Sequence, residues 1–300
     1  MEIESHLFNV SKIFGYKPKN IQYIYGSNSI VAKFDSNNVS YAFKISLIES
    51  LMTEVYFINT LKNNSVPCQE LVNYDLSKKI IPFSFIITKW IHSDSFVGHI
   101  DDDISIKGGQ EYGKGLVGIH KIELRGFGSP LDIDGTKWSS PTWNKALESF
   151  FKKNIRSKTP LKIFDTNTVE TIINKTYKNT NLSISVPYLI HGDLPNSLAT
   201  LSPKIKLLAF IDPGGIIGGD PMFDLSSVYT YNENGDFGTG FMSGLISGYT
   251  DIRKLTTLEK YRFNHLKLFH LFWKTCFYYD QKWNHKHLML ETYSLLKQLQ

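Results

Sequence analysis

Two apolar, strand-like runs, residues 186–190 and 205–211, each end directly in an acidic loop, and this constrains the chain more than any other feature. The first leads into His191-Gly192-Asp193-Leu194-Pro195-Asn196-Ser197 and the second into Ile211-Asp212-Pro213. A third acidic turn follows closely, Gly219-Asp220-Pro221-Met222-Phe223-Asp224-Leu225. Loops leaving buried strands hold reactive groups well, because the strand fixes their position while the loop leaves them accessible. A lone Asp in a loop is commonly just solvated; three acidic turns in this order and spacing are hard to explain that way. Asp193 and Asp212 are therefore the candidates for chemistry. His191 and Asp220 read as scaffold, the histidine tying its loop by hydrogen bonds and Gly-Asp-Pro fixing a turn. Asp224 opens an apolar helix, where a carboxylate caps free amides.

Composition narrows the setting. The 300 residues, 42% hydrophobic and 20% charged, fit a globular protein of one large or two smaller domains. Cys68 and Cys276 have no partner spacing, which speaks against a disulfide framework or structural zinc and for a reducing compartment. The start of the chain lacks a basic stretch followed by an apolar run, and the longest apolar run, residues 80–87, is too short to cross a bilayer. A cytoplasmic location with no membrane contact is expected. The net charge of +5 comes from scattered lysines, so nucleic acid is not an expected partner.

Along the chain, residues 5–16 carry apolar groups at helical spacing (Leu7, Val10, Ile13, Phe14). Residues 21–46 switch to alternation broken by two turns, which predicts a three-stranded antiparallel meander. The first turn, Gly26-Ser27-Asn28-Ser29, has the amides and hydroxyls to cradle phosphates. Lys44 lies mid-strand in Tyr41-Ala42-Phe43-Lys44-Ile45, so it either reaches solvent or needs an anionic partner. Glu54, on the helix predicted over 49–61, is the candidate. Strands are predicted over 71–74 and, as one long element, over 80–91. Residues 112–122 read as a helix whose glycines imply close packing, with His120 structural. Residues 150–178 are basic and helical, and 241–300 form aromatic-rich helices.

His-Gly-Asp followed by Ile-Asp about twenty residues later, then Gly-Asp-Pro, resembles the catalytic core of the aminoglycoside phosphotransferase family, shared with choline kinases and other small-molecule kinases of the protein-kinase-like fold. The resemblance implies an α+β, two-lobed fold: a small antiparallel β lobe over residues 1–91, ending in a hinge, and a mostly helical lobe over 92–300. It implies ATP or GTP as phosphoryl donor with Mg²⁺, and as acceptor a hydroxyl of a small polar molecule, an antibiotic included. Lys44 and Glu54 would hold the nucleotide phosphates beneath the turn of Gly26, Ser27 and Ser29, while Thr88, Trp90 and Ile91 match the segment that meets the adenine edge. Asp193 would face the acceptor hydroxyl, and Asp212 with Asn196 would hold the metal. One departure stands out. The family pattern places Asn five residues after the Asp, where this chain has Leu198; Asn196 comes two positions early, as though the loop were shortened. An inactive nucleotide-binding relative is the first alternative. A regulator of protein-kinase type is the second, and no activation loop with its Ala-Pro-Glu anchor is present to support it. Acidic groups that could receive a cationic acceptor are Asp132, Asp134, Glu148 and residues 232–236.

Overall fold

The alternating residues of the first fifty positions fold as predicted, into a hairpin meander. In the computed structural model, which describes residues 3–26, 28–48, 50–93, 102–194, 204–230 and 240–299, β1 (Lys19–Tyr25), β2 (Ser29–Ser36) and β3 (Val39–Ser46) pair antiparallel. The β2–β3 turn is the two-residue type that suits the twist of a hairpin: Asn37 and Asn38 both have positive φ, 51° and 62°, and Asn tolerates that region better than most residues. Two further strands, β4 (Leu71–Asp75) and β5 (Phe85–Lys89), complete a five-stranded sheet in the order β1-β2-β3-β5-β4. Helix α1 (Ile3–Phe14) packs Leu7 and Val10 onto Ala32, Phe34, Phe43, Phe85 and Ile87 of this sheet.

The strand expected over 80–91 is shorter than predicted. Its first half is a turn, because the Asp75 carboxylate gathers the backbone N–H groups of Ser77, Lys79 and Ile80, and Pro82 has no N–H to give a ladder.

Helix α2 (Met52–Asn63) joins the two lobes. Val55 packs on Ile86 of the small sheet, while Phe57 and Leu61, one helical face away, enter the core of the large lobe. That lobe is built from α3 (Asp102–Ile119), α4 (Trp143–Asn154), α5 (Pro160–Ile163), α6 (Thr166–Lys175), α7 (Pro221–Ser227), α8 (Phe241–Ile252), α9 (Thr257–Asp280) and α10 (Lys286–Gln298). The glycine-rich α3 starts ten residues earlier than predicted and lies directly on α8. A Cβ on Gly113 would stand 2.1 Å from Leu245 O, and one on Gly248 2.1 Å from Gln110 O, so the close packing expected of these glycines is present.

The large lobe is not wholly helical. Short strands β6 (Phe127–Pro130), β7 (Trp138–Ser140), β8 (Tyr188–Leu189) and β9 (Gly218–Gly219) form a second sheet in the order β7-β6-β9-β8. Of the strand-like run 186–190 only Tyr188–Leu189 is regular, and 205–211 makes only isolated bridges, one of them linking Phe210 to Cys68. The latter run is anchored across the lobes by Phe210 N–H donating to Pro67 O at 3.0 Å. An isolated bridge, not a continuous ladder, holds it in place.

Candidate active site

The loop after β8 is fixed from three directions. Ile190 N–H donates to Ile217 O (2.9 Å), and Gly214 N–H donates to His191 O (2.8 Å), which zips this loop against the one that carries Asp212. Gly192 makes the approach possible. It has φ +79°, and a Cβ there would stand 2.1 Å from Ile216 O, so only glycine fits. The His191 ring bridges both loops, its Nε2–H donating to Ile211 O (2.8 Å) while Nδ1 accepts from Asp193 N–H (3.4 Å). A carbonyl can only accept and an amide only donate, so these partners set the tautomer. His191 is thus the loop-holding scaffold that its sequence suggests.

Asp224 has a different role from the one its position predicts. It does not cap its own helix; Asp220 does that, accepting from Met222 N–H (3.0 Å). Asp224, fully buried on α7, reaches back to accept from His191 N–H (2.6 Å) and Gly192 N–H (2.8 Å). A sequence pattern shows a carboxylate near a helix start but not which orphan amides it meets; here the nearest are those of His191 and Gly192 in the loop that carries Asp193. His120, at the end of α3, supports Asp224 from behind: its Nε2 lies 3.0 Å from Oδ2 and its Nδ1 3.1 Å from the Tyr249 hydroxyl. Burial raises the Tyr249 pKa, so its hydroxyl stays protonated and donates to Nδ1. Arg253 donates to the same hydroxyl and pairs with Glu259. Asp220, also fully buried, pairs with Arg262 (Nε–Oδ2 2.6 Å); burial still lifts its pKa above the usual carboxylate range.

The small lobe brings its cation to the same place. Lys44 Nζ lies 2.7 Å from Glu54 Oε2 and 2.6 Å from Asp212 Oδ1. Burial disfavours the Lys44 charge, but the two carboxylates outweigh it and raise its pKa. Glu54 shows the opposite balance: burial raises its pKa, and Lys44 offsets this only in part. Lys44 therefore ties β3, α2 and the Asp212 loop with one charge. Asp212 adopts φ +55°, a conformation Asp accepts at some cost, and its side chain is 54% exposed toward the cleft.

A cleft of about 570 Å³ runs between the lobes. Gly26, Ser29, Lys44 and Glu54 line it from the small lobe, and Asp193 and Asp212 from the large one. Ser27 and Asn196 lie outside the described residues. Thr88, Trp90 and Ile91 do not line the cleft. Thr88 is buried in the sheet opposite Ala42, and Trp90 donates its N–H to Ser40 O and receives Lys33 over its ring. The large lobe also lines the cleft with the hydroxyls of Ser129, Ser139, Ser140 and Ser149, together with Phe150, Lys153 and Asn154. Among the described residues, none of the acidic receptors expected for a cationic acceptor lines the cleft. Asp132 is spent on Thr136, Glu148 pairs with Lys145 and Lys152, Asp134 does not line the cleft, and 232–236 lie outside the described residues.

Among the described residues no three His, Cys, Asp or Glu side chains converge as a ready metal cage. Magnesium does not require one. It takes one or two protein oxygens and completes its shell with water and substrate phosphates, which suits an exposed Asp212 carboxylate facing the cleft. No helix among the described residues is long and apolar enough to cross a membrane.

No family profile matches this sequence, and no curated protein sequence matches it. Solved structures do. The aminoglycoside phosphotransferase APH(4)-Ia, in a ternary complex with ADP and hygromycin B, superposes with a TM-score of 0.71 at 12% identity, covering 96% of each chain. The ADP-bound aminoglycoside phosphotransferase APH(2'')-Ib gives 0.63 at 18% identity over 99% of this chain and 97% of the other. A fructosamine-3-kinase candidate from Haemophilus somnus gives 0.61 at 15% identity over 97% and 95%. The chain has the two-lobed, protein-kinase-like fold of these proteins over nearly its whole length.

Proposed function

We propose that this chain, which has the fold of the aminoglycoside phosphotransferases, is a small-molecule kinase that moves the γ-phosphoryl group of ATP or GTP to a hydroxyl of a small polar substrate. The observation that carries the reading is Lys44, held between Glu54 of the small lobe and Asp212 of the large one at the floor of the cleft. Phosphoryl transfer asks a protein chiefly for positioning and charge compensation, and a lysine so placed supplies both to nucleotide phosphates. Gly26 and Ser29 cover the same end of the cleft, and Asp212, with Asn196, would hold the magnesium. When bound, the metal neutralises phosphate charge. Asp193 lines the cleft across from the small-lobe groups and serves as hydrogen-bond acceptor for the substrate hydroxyl, orienting it and taking its proton. Asp224 and His191 keep the backbone beneath Asp193 in place.

The hydroxyls that line the cleft, with Lys153 among them, support an uncharged, polyhydroxylated acceptor over a polycationic one. The test is an acceptor screen with radiolabelled ATP and GTP and magnesium, covering sugars, aminocyclitols, choline, homoserine and aminoglycosides. Label on a small molecule supports the reading; nucleotide binding without label on any of them sinks it. A second reading, a nucleotide-binding relative without turnover, is favoured by Leu198 standing where the family pattern has its metal-binding Asn. Asn196→Ala separates the two: lost magnesium dependence of nucleotide binding supports a working metal site, and unchanged dependence favours the inactive relative.

A further inference from the structure

Helix α4 presents two polar faces of different charge. Lys145, Glu148 and Lys152, spaced three and four residues apart, share one face, where the two ammonium groups neutralise the carboxylate at 2.8 and 2.7 Å. Ala146, Ser149, Phe150 and Lys153 share another by the same spacing, and all of them line the cleft. The core fixes which face is which. Trp143 and Leu147 are fully buried in the large lobe, and the Phe150 ring packs on Phe223, Phe269 and Trp273, which sets the rotation of α4 about its axis. Thr142 caps the first turn, two residues after the strand that brings Ser139 and Ser140 to the cleft. A cation in the last turn of a helix is favoured by the helix dipole on any face. Lys152 and Lys153 both stand there, but only Lys153 lines the cleft.

Among the described residues, the acids on the cleft lining are Glu54, Asp193 and Asp212, and the bases are Lys44 and Lys153. Glu54 and Asp212 hold Lys44, at 2.7 and 2.6 Å, and Asp193 is assigned to the acceptor hydroxyl. The rest of the large-lobe lining is neutral except for Lys153. Two of its hydroxyls are already oriented. Ser129 Oγ–H donates to Gly215 O, in the loop of Asp212, and Ser139 Oγ accepts from Ser129 N–H at 2.9 Å. The Ser129 oxygen is thereby left to accept and the Ser139 proton to donate. Such a surface suits the hydroxyls of a ligand. An ammonium set among them suits an anion, because a charge-assisted hydrogen bond is roughly twice as strong as a neutral one. We propose that the acceptor subsite lies against this face of α4 and the hydroxyls of β6 and β7, with Lys153 as its specificity-determining residue. It selects a polyhydroxylated acceptor that also carries an anionic group, a carboxylate or a phosphate: the serines read the uncharged part and Lys153 the charged end. A polycationic acceptor would set ammonium against ammonium. Calling the ligand an acceptor rests on the kinase reading; the anion preference of the cleft does not.

The experiment uses ligands matched on one carbon frame: glucose, glucuronate, glucose 6-phosphate and glucosamine. Ligand-observed NMR on the full chain gives Kd for each, with and without ADP and magnesium. At least one of the two anions should bind about tenfold more tightly than glucose, and glucosamine should bind more weakly than glucose. Whichever anion gains more tells a carboxylate site from a phosphate site. Lys153→Gln should bring the anions level with glucose, and Lys153→Glu should reverse the order in favour of glucosamine. Lys153 is exposed, so neither change disturbs the core. Equal Kd for glucose and both anions in the wild type, or an anion preference that survives Lys153→Gln, overturns the proposal. So does the absence of binding by any of the four ligands. A loss of ADP affinity in Lys153→Gln overturns it as well, by placing the ammonium on the nucleotide. Wild-type protein that binds no nucleotide sinks the kinase reading instead, and the order of affinities without ADP still decides the anion preference.

Discussion

Replacing Asp224 with Asn removes one charge and one acceptor from a site with no exposure to water. The carboxylate accepts three hydrogen bonds, from His191 N–H at 2.6 Å, Gly192 N–H at 2.8 Å and His120 Nε2 at 3.0 Å. If the amide oxygen takes the place of Oδ2, the amide NH₂ faces the Gly192 N–H, donor against donor. Leaving one buried donor unsatisfied costs about 1–3 kcal/mol, and loss of charge assistance in the other two bonds adds about 1 kcal/mol each. The sum is roughly 3–5 kcal/mol. At about 2 °C per kcal/mol for a chain of this size, Tm should fall by roughly 6–10 °C. Thermal unfolding followed by circular dichroism reads this directly. Nucleotide-induced stabilisation should persist, because Lys44 and Glu54 belong to the other lobe, while phosphoryl transfer should drop as the backbone beneath Asp193 loosens. A variant that melts with the wild type would refute the idea that Asp224 is the brace of the loop.

Lys44→Met should abolish most of the stabilisation by nucleotide, about 2.7 kcal/mol at a hundred times Kd in the wild type, since the cation shared by Glu54 and Asp212 is gone; a full thermal shift in the variant would contradict this. Gly192→Ala should destabilise by well over 1 kcal/mol, because φ is +79° and the new Cβ meets Ile216 O at 2.1 Å; denaturant midpoints measure it. Glu148 is held near a pKa of about 2 by Lys145 and Lys152, against 4.5 when free. Its folded pKa is depressed, so its contribution is present above pH 4.5 and is lost as pH falls toward 2. The pair lies at the surface, so Glu148→Gln should cost less than about 1 kcal/mol at neutral pH and nothing at the acid end, as read by unfolding at both.

Much of this architecture is local and therefore visible in the sequence. The alternation of residues 21–46, with Asn37-Asn38 at its turn, dictates a meander whichever lobe it joins, because strand pairing and turn geometry are settled within a few residues. The strand lysine and helix glutamate were foreseeable as a pair, since a mid-strand Lys between apolar neighbours needs an anion and the next helix offers one. The glycines of α3 signalled a close helical partner, and α8 is that partner.

What the sequence leaves open depends on which distant groups meet. Asp224 reads as a cap in isolation; only the fold shows that the amides it satisfies belong to His191 and Gly192. Pro82 and the amide-gathering Asp75 outweigh the apolar run that suggested a long strand. Glu148 looks like a candidate receptor for a cation until its lysine neighbours occupy it. Periodicity and turn chemistry act over a few residues, so the chain itself determines its elements and the loops that carry its acids. Burial and charge pairing act through space, so the partners of Asp224, Asp220 and Asp212 are decided only when the tertiary fold forms, within the large lobe for the first two and across the lobes for the third.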